Sequence, residues 1–179
     1  MHCPVCKTTT LEEVILESQL SSLKCSECAG KWIKGATYWN WLETHKPQLP
    51  EHEFNDSVVD VGKAKLCPEC KSIMVKYWVG HGVEFSLDHC HSCRGIWFDR
   101  NEWEVLKSRN LHDDINSIFT APWQTKIEKE HRRNGTERRY LNKFGVEDYA
   151  EMKRVQSWIR NHQRREEILA FLSNPNLLD

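Results

Sequence analysis

The chain has 179 residues, with 25 Lys and Arg against 26 Asp and Glu, and its formal net charge is −1. This composition is typical of a folded protein and excludes a disordered or fibrous one. The near-neutral charge argues against whole-molecule capture by nucleic acid or an anionic membrane, and the longest apolar run, residues 168–172, is too short to span a bilayer. The most informative residues are the eight cysteines and eight tryptophans.

All eight cysteines fall into Cys-x-x-Cys pairs. The pairs are Cys3/Cys6, Cys25/Cys28, Cys67/Cys70 and Cys90/Cys93. A disulfide framework would predict varied spacings and a secretory signal, and neither pattern occurs in the sequence. Because Cys3 is too near the start to follow a signal peptide, we expect a chain that begins inside its own fold and lies in the reducing cytoplasm.

The chain contains an internal repeat. Cys3 and Cys6 correspond to Cys67 and Cys70 at an offset of 64, whereas the second pair of each unit corresponds at an offset of 65. Both units read Cys-Pro-x-Cys-Lys, a spacer, then Cys-x-x-Cys-x-Gly-x-Trp. A fixed period of this kind indicates two copies of one structural unit.

Each spacer predicts a β-hairpin followed by a short helix. In the first unit the strands are expected at 13–17 and 20–24. In the second, 73–79 is β-rich, Gly80-His81-Gly82 supplies a turn, and apolar residues then alternate with polar ones over 83–88, the period of a half-buried strand. Asp99 and Glu102 have the spacing of a capping box and predict the start of the second helix.

Between and after the two units the composition changes. Residues 46–66 hold two prolines, one glycine and four acidic residues, which predicts a linker. Residues 123–179 contain no cysteine and have 12 Lys and Arg against 9 Asp and Glu. Apolar residues at helical spacing predict one long helix over 146–172, which begins after Gly145 and ends before Pro175.

Two Cys-x-x-Cys turns facing each other would hold one tetrahedral metal ion. Four sulfurs at Zn–S distances of about 2.3 Å form a closed structural zinc site with no open position for a substrate. Each unit is too small for a large core, and zinc binding worth about 10–16 kcal/mol would then supply folding free energy. We therefore predict two Zn²⁺ ions, one per unit.

Two other chemistries remain open for these thiols. Iron also binds four thiolates in this geometry. A redox dithiol is a further alternative, although it is expected as one motif in a βαβ context rather than as four motifs in two symmetric sets.

The second unit resembles the transcription factor IIB-type zinc ribbon. It matches that pattern at Cys67-Pro68-Glu69-Cys70, at Cys90 through Asp99 and at Glu102. The first unit is similar at Cys3-Pro4-Val5-Cys6 and from Cys25 to Trp32, but Lys34 and Thr37 stand where the family has Asp and Glu. The resemblance implies zinc-binding ribbons over 1–42 and 67–107. The name of the family suggests a role in transcription.

Several aromatic and imidazole side chains are candidates for contacts or ligands. His89 and His91 flank Cys90, but four cysteines already complete the site. We therefore expect both to be non-ligating residues at the tip of the Cys-x-x-Cys turn, here called the zinc knuckle. Trp32 and Trp97 occupy equivalent positions and are expected to cover the zinc knuckles. Trp39 and Trp41 are expected either to pack the first unit onto the second or onto the tail, or, if exposed, to anchor a protein interface or stack on bases.

A basic stretch in the C-terminal region is the best candidate for nucleic-acid contact. Its cations are Lys126, Lys129, Arg132, Arg133, Arg138, Arg139 and Lys143. Three glutamates interrupt it, and mixed charges of this kind are also typical of a solvated helix face. An acidic protein partner is the third interpretation.

These observations predict a small metal-bound α+β protein with two tandem zinc ribbons and a helical C-terminal region. The expected divisions are a first ribbon at 1–45, an acidic linker at 46–66, a second ribbon at 67–110 and a helical region at 111–179. We expect no catalytic residues, because every cysteine belongs to a closed site. The expected role is a protein-interaction or assembly module that acts through the Trp-bearing zinc ribbons and the helical tail. A nucleic-acid-associated factor and a zinc or redox sensor are the alternatives.

Overall fold

The structure is a computed structural model that describes residues 1–17, 19–44, 57–58 and 62–174. The chain divides into two compact units, Met1–Ile127 and Glu128–Asp179. The first unit holds both cysteine-rich repeats, and the second is helical. A small α+β fold with two metal sites, as the sequence predicts, is confirmed.

The two repeats have the same order of elements. The first consists of strands β1 (Glu12–Glu17), β2 (Leu20–Lys24) and β3 (Lys31–Ile33) and helix α1 (Gly35–Thr44). The second consists of strands β4 (Val75–Gly80), β5 (Val83–His89) and β6 (Ile96–Phe98) and helix α2 (Glu102–Ser108). Both predicted hairpins are therefore confirmed.

The two ribbons join into one six-stranded antiparallel sheet of order β1-β2-β3-β6-β5-β4. At the centre, β3 pairs with its own equivalent β6, and Trp32 lies directly opposite Trp97. Trp32 and Trp97 occupy the same position in the two repeats, so this antiparallel pairing relates the two ribbons by a local two-fold axis. The ribbons therefore form one folded unit rather than two independent domains.

Strand β5 departs from the half-buried pattern that its sequence predicts. Phe85 and Leu87 are buried as expected, but Ser86 and Asp88 on the opposite face are buried too. Asp88 accepts a hydrogen bond of 2.6 Å from Nζ of Lys65, which compensates its charge. Both faces of β5 are thus covered, one by an ion pair that alternation alone does not reveal.

The linker predicted at 46–66 lies mostly outside the described residues. Its final residues belong to the second ribbon, because Leu66 forms a β-bridge with Ile73 and Lys65 is buried. Ser57 also accepts a hydrogen bond through its carbonyl from the side-chain amide of Asn101 at 3.1 Å.

The first unit extends past the predicted end of the second ribbon at residue 110. A short helix α3 (Ile115–Ile118) and the first turns of helix α4 (Ala121–Arg160) pack on the hairpin of β4 and β5. Gln124 exchanges two hydrogen bonds with the backbone of Trp78, at 3.0 and 2.9 Å, and Ile127 packs closely over Gly80. These contacts explain why the first unit ends at Ile127.

The second unit contains the rest of α4 and helix α5 (Arg165–Leu172). The backbone leaves helical geometry at Gly145, whose φ is 81°, a conformation that glycine adopts without strain. Glu137 and Lys153, on opposite sides of Gly145, lie 3.2 Å apart. Sixteen residues of straight helix would separate them by about 24 Å, so the chain folds back at Gly145.

The helix predicted over 146–172 is confirmed at its start and wrong in its continuity. Helical structure resumes after Gly145, as predicted, but a break over 161–164 separates α4 from α5. The segment before Gly145, from Ala121, is helical too, in line with the predicted helical region at 111–179. No helix in the described ranges is long and apolar enough to cross a membrane.

Candidate metal centres and the ribbon interface

The fold brings the eight cysteines together in two groups of four. One group contains Cys3, Cys6, Cys25 and Cys28, and the other contains Cys67, Cys70, Cys90 and Cys93. Within each group all four sulfurs lie within 4.8 Å of one another. Each group therefore takes two cysteines from the start of its ribbon and two from the loop after its hairpin.

The sulfur separations fit a tetrahedral zinc site. Sγ of Cys3 lies 3.6 Å from Sγ of Cys28, and the shortest such pair in the second group, between Cys70 and Cys90, is 3.4 Å. A tetrahedron with Zn–S bonds of about 2.3 Å has edges of about 3.8 Å. These separations are far longer than the ~2.05 Å of a disulfide, and all eight cysteines are free. Each group suits one Zn²⁺.

All four zinc knuckles share one backbone conformation. The residue after the second cysteine of each pair has a positive φ, and its amide donates to the carbonyl of the first cysteine. These residues are Lys7, Ala29, Lys71 and Arg94, with φ between 57° and 67°. Because none of the four is glycine, the sequence carries no local signal for this left-handed conformation. The tight turn aims both sulfurs of a pair at one point.

The thiols differ in how readily they ionise. Burial raises the pKa of Cys6 to about 11 and also raises the pKa of Cys28. At the second site, the Ser72 hydroxyl, 3.4 Å from Sγ, helps to lower the pKa of the exposed Cys70 to about 6. Metal coordination requires thiolates, and burial makes Cys6 and Cys28 costly to ionise. A bound cation would offset that cost.

The two histidines beside Cys90 stand apart from the four-sulfur groups. His91 lies with Nε2 2.8 Å from the hydroxyl of Tyr77, and His89 stacks on Phe119 with ring centroids 4.2 Å apart. Burial lowers the pKa of His89 to about 4, so this ring is neutral near pH 7. Both side chains have packing or hydrogen-bonding partners that fit the non-ligating interpretation.

Trp32 and Trp97 are fully buried and pack with the cysteines, but each covers the opposite ribbon. A β-carbon at Gly95 would lie 2.0 Å from Cζ2 of Trp32, and one at Gly30 would lie 2.2 Å from Cζ2 of Trp97. The glycine of Cys-x-x-Cys-x-Gly is therefore needed to admit the other ribbon's indole. The expectation that both tryptophans cover the cysteine turns is confirmed, and the structure adds that each indole lies against the glycine of the other ribbon.

A second layer of aromatic contacts joins the ribbons through their helices. Trp41 of α1 contacts Trp103 of α2 edge-on at 6.1 Å, and the hydroxyl of Tyr38 donates to the carbonyl of His112 at 2.7 Å. Two cross-ribbon ion pairs, Lys31–Glu104 and Lys107–Glu17, flank this cluster. Trp41 thus packs the first ribbon onto the second, as one of the two sequence interpretations predicted.

The predicted capping box is only half formed. The carboxylate of Glu102 accepts from the backbone N–H of Asp99 at 2.8 Å, as in a capping box. The Asp99 carboxylate, however, accepts from the indole N–H of Trp97 at 2.7 Å and from Lys65 at 2.9 Å. Asp99 therefore ties the central strand to the end of the linker instead of capping α2, which begins at Glu102.

Sequence reasoning missed two buried polar residues. Lys65 falls within the predicted linker, yet its side chain is 2% exposed and joins Asp88 and Asp99. His112 is 1% exposed between Trp41 and Trp103. No periodicity marks either residue, because both are buried by contacts between segments distant in sequence.

The candidate basic residues are all exposed on α4. Lys126 lies in the first unit, and the other six, Lys129, Arg132, Arg133, Arg138, Arg139 and Lys143, lie in the second. They stand well apart in sequence from both cysteine groups.

The fold and the two donor sets define a zinc-binding protein built on tandem zinc ribbons. Residues 66–109 match the TFIIB-type zinc ribbon, the family described as a transcription factor zinc-finger. The second four-cysteine group, at Cys3, Cys6, Cys25 and Cys28, is consistent with another ribbon of the same type. No curated protein and no solved structure gives a significant match to the chain.

Proposed function

We propose that the protein is a non-catalytic interaction or assembly protein, in which zinc folds the ribbons into a rigid platform and the helical region makes the contacts. The absence of catalysis is supported by the donor sets, because each site supplies four thiolates and leaves no coordination position for a substrate. Eight free cysteines also fit a reducing compartment such as the cytoplasm.

The observation that carries this proposal is the concentration of exposed aromatic side chains on the second unit. The tryptophans at the centre of the ribbons are used internally, since Trp32, Trp97 and Trp103 are buried. In the second unit, by contrast, Trp158 is 54% exposed and Phe171 is 58% exposed. Exposed aromatic side chains on one small unit are typical of protein-binding surfaces.

The second unit also has a shallow cleft lined by apolar side chains. Met152, Val155, Ile159 and Leu169 line this cleft between the end of α4 and α5. Trp158 and Leu172 lie on the same two helices and are also exposed. We assign the protein contact to this apolar surface, which is the helical-tail part of the interface expected from the sequence.

Affinity capture with variants tests the assignment. The zinc-loaded protein is used as bait with nuclease present, and Trp158→Ala with Phe171→Ser is compared with wild type. The control is Ile15→Ser, which removes an equally exposed apolar side chain from an edge strand of the platform. Loss of the same partner only in the helical variant supports the proposal. Equal retention in all three baits contradicts it.

A further inference from the structure

The three glutamates within the basic stretch do not interrupt the charged surface once the residues are placed on the helix. Residues 128–144 are continuous α-helix up to the break at Gly145. At about 100° per residue, eight of these residues occupy an arc of about 140°. The arc consists of Lys129, Arg132, Arg133, Thr136, Arg139, Tyr140, Lys143 and Phe144. It contains five cations, two aromatic rings and no carboxylate.

The acidic residues lie at or beyond the margins of this arc, and two of them are paired. Glu137 forms its ion pair with Lys153 after the chain reversal. Glu128 lies 3.5 Å from Arg132 across one helical turn, in a solvent-exposed pair that contributes little. The arc therefore presents a net positive surface about 22 Å long between Lys129 and Phe144.

The two aromatic rings on this arc are exposed and nearly parallel. Tyr140 and Phe144 are one turn apart, with ring centroids 6.0 Å apart and planes inclined by 20°. Cations border both rings, since the Arg139 guanidinium lies 5.7 Å from the Tyr140 centroid and the Lys143 ammonium 5.1 Å from that of Phe144. Flat rings among cations offer stacking surfaces for bases and charge for phosphates.

From this geometry we infer that the basic-aromatic arc of residues 129–144 binds single-stranded nucleic acid. The cations contact phosphates along the strand, and Tyr140 and Phe144 stack on unpaired bases. A membrane fits less well, because Tyr140, Leu141 and Phe144 are the only large apolar residues of this segment and an interfacial helix needs a wide apolar face. This site is separate from the apolar cleft of the proposed protein contact.

The test is fluorescence anisotropy of the full-length, zinc-loaded protein with labelled oligouridylate, oligothymidylate and duplex RNA of equal length. Five phosphate contacts predict a slope of about −3.5 for log affinity against log salt concentration. Tighter binding of oligouridylate identifies RNA as the source of the strand, and tighter binding of oligothymidylate identifies DNA. Either result supports the inference, whereas duplex bound more tightly than both single strands contradicts it.

A matched pair of arginine variants tests whether the arc is the site. Arg133→Gln removes a cation in line with Tyr140, while Arg138→Gln removes one from the opposite side of the same helix; both residues are exposed. Arg133→Gln should lower the salt slope by about 0.7, and Arg138→Gln should leave it unchanged. Equal effects of the two variants would overturn the assignment, because they would indicate attraction to charge without a defined face.

The aromatic contribution has its own control. Tyr140→Leu should weaken binding by about 5- to 150-fold with the salt slope unchanged, because base stacking carries no counterion release. Tyr140→Phe keeps the ring and should bind as wild type does. If anionic lipid vesicles or an acidic peptide bind through Arg133 while neither oligonucleotide binds, the inference is wrong. Failure here leaves the Trp158-dependent protein contact untouched, because that capture is done with nuclease present.

Discussion

Trp32 of the first ribbon lies against Gly95 of the second so closely that a β-carbon there would be 2.0 Å from Cζ2 of the indole. The reciprocal contact, between Trp97 and Gly30, has nearly the same geometry. Together with the direct pairing of Trp32 and Trp97 across β3 and β6, these contacts make each ribbon part of the other's core. The repeat is therefore a structural requirement and not a simple doubling of independent modules.

Gly95→Ala should destabilise the whole first unit. The added methyl group cannot fit beside Trp32, and overpacking of this kind costs about 1–3 kcal/mol. Thermal unfolding of the zinc-loaded protein, followed by tryptophan fluorescence, measures the change. The control is Gly135→Ala, in α4 with open space around it, which should be neutral or slightly stabilising. If Gly95→Ala unfolds at the wild-type temperature, the reciprocal tryptophan–glycine contacts do not stabilise the interface between the ribbons.

Lys65→Met should be strongly destabilising. The substitution removes the buried cation that joins Asp88 and Asp99, and breaking a buried ion pair in this way costs about 3–5 kcal/mol. Burial opposes a charged Lys65, but the hydrogen bonds to the two carboxylates raise its pKa above the usual value. Chemical denaturation at neutral pH measures the loss.

Lys76→Met is the matched control for this prediction. Lys76 is 3.5 Å from the same Asp88 carboxylate, but its side chain is partly exposed. Such a pair is expected to contribute less than about 1 kcal/mol. Similar losses for the two variants would show that the buried trio has no special role and that general charge balance sets stability.

The metal ligands and hairpins were predictable from the sequence because their determinants are local. The spacing within Cys67–Cys70 sets one knuckle, and alternation over 83–88 sets one strand. The register of β3 on β6 and the burial of Lys65 depend on contacts between segments tens of residues apart. A sequence pattern shows that Trp32 and Trp97 are equivalent, but it does not show which glycine each one covers.

The same distinction applies to the helical region. Composition correctly indicated a cysteine-free helical segment, but the mixed charges of 126–143 could not be sorted without a helix start and end. The structure places the break at Gly145, and this fixes the length over which Arg133 and Tyr140 share a face. Glu137 interrupts the basic stretch in the sequence, yet in the structure it pairs with Lys153.

Metal analysis should find two zinc ions per chain in the wild-type protein. Cys67→Ser should lose the zinc of the second ribbon, since three thiolates no longer close the tetrahedron. Because the sheet is continuous, the variant should also release the first zinc at lower chelator concentration than wild type. His91→Ala should keep both ions, since His91 lies against Tyr77 and not among the sulfurs. Loss of one zinc in the His91 variant would make that residue a ligand.

His112 should make the stability of the first unit depend on pH. Burial between Trp41 and Trp103 lowers the pKa of His112, and neither ring nitrogen has a hydrogen-bond partner within the part of the chain that the structure describes. The unfolded chain takes up a proton near the usual pKa of about 6.5, whereas the folded protein does so only at lower pH. The unfolded state therefore binds more protons in that interval, and stability falls as pH falls below about 6.5.

His112→Phe should remove this part of the pH dependence while keeping the aromatic cluster. As the pH is lowered, the unfolding free energy of the wild type should fall relative to that of the variant, by at most about 1.4 kcal/mol per pH unit. Denaturant titrations from pH 7.5 downwards measure it, with zinc content determined at each pH because thiolate protonation also releases metal. A difference that stays constant across this range, at equal zinc content, would mean that His112 is protonated equally in the folded and unfolded states.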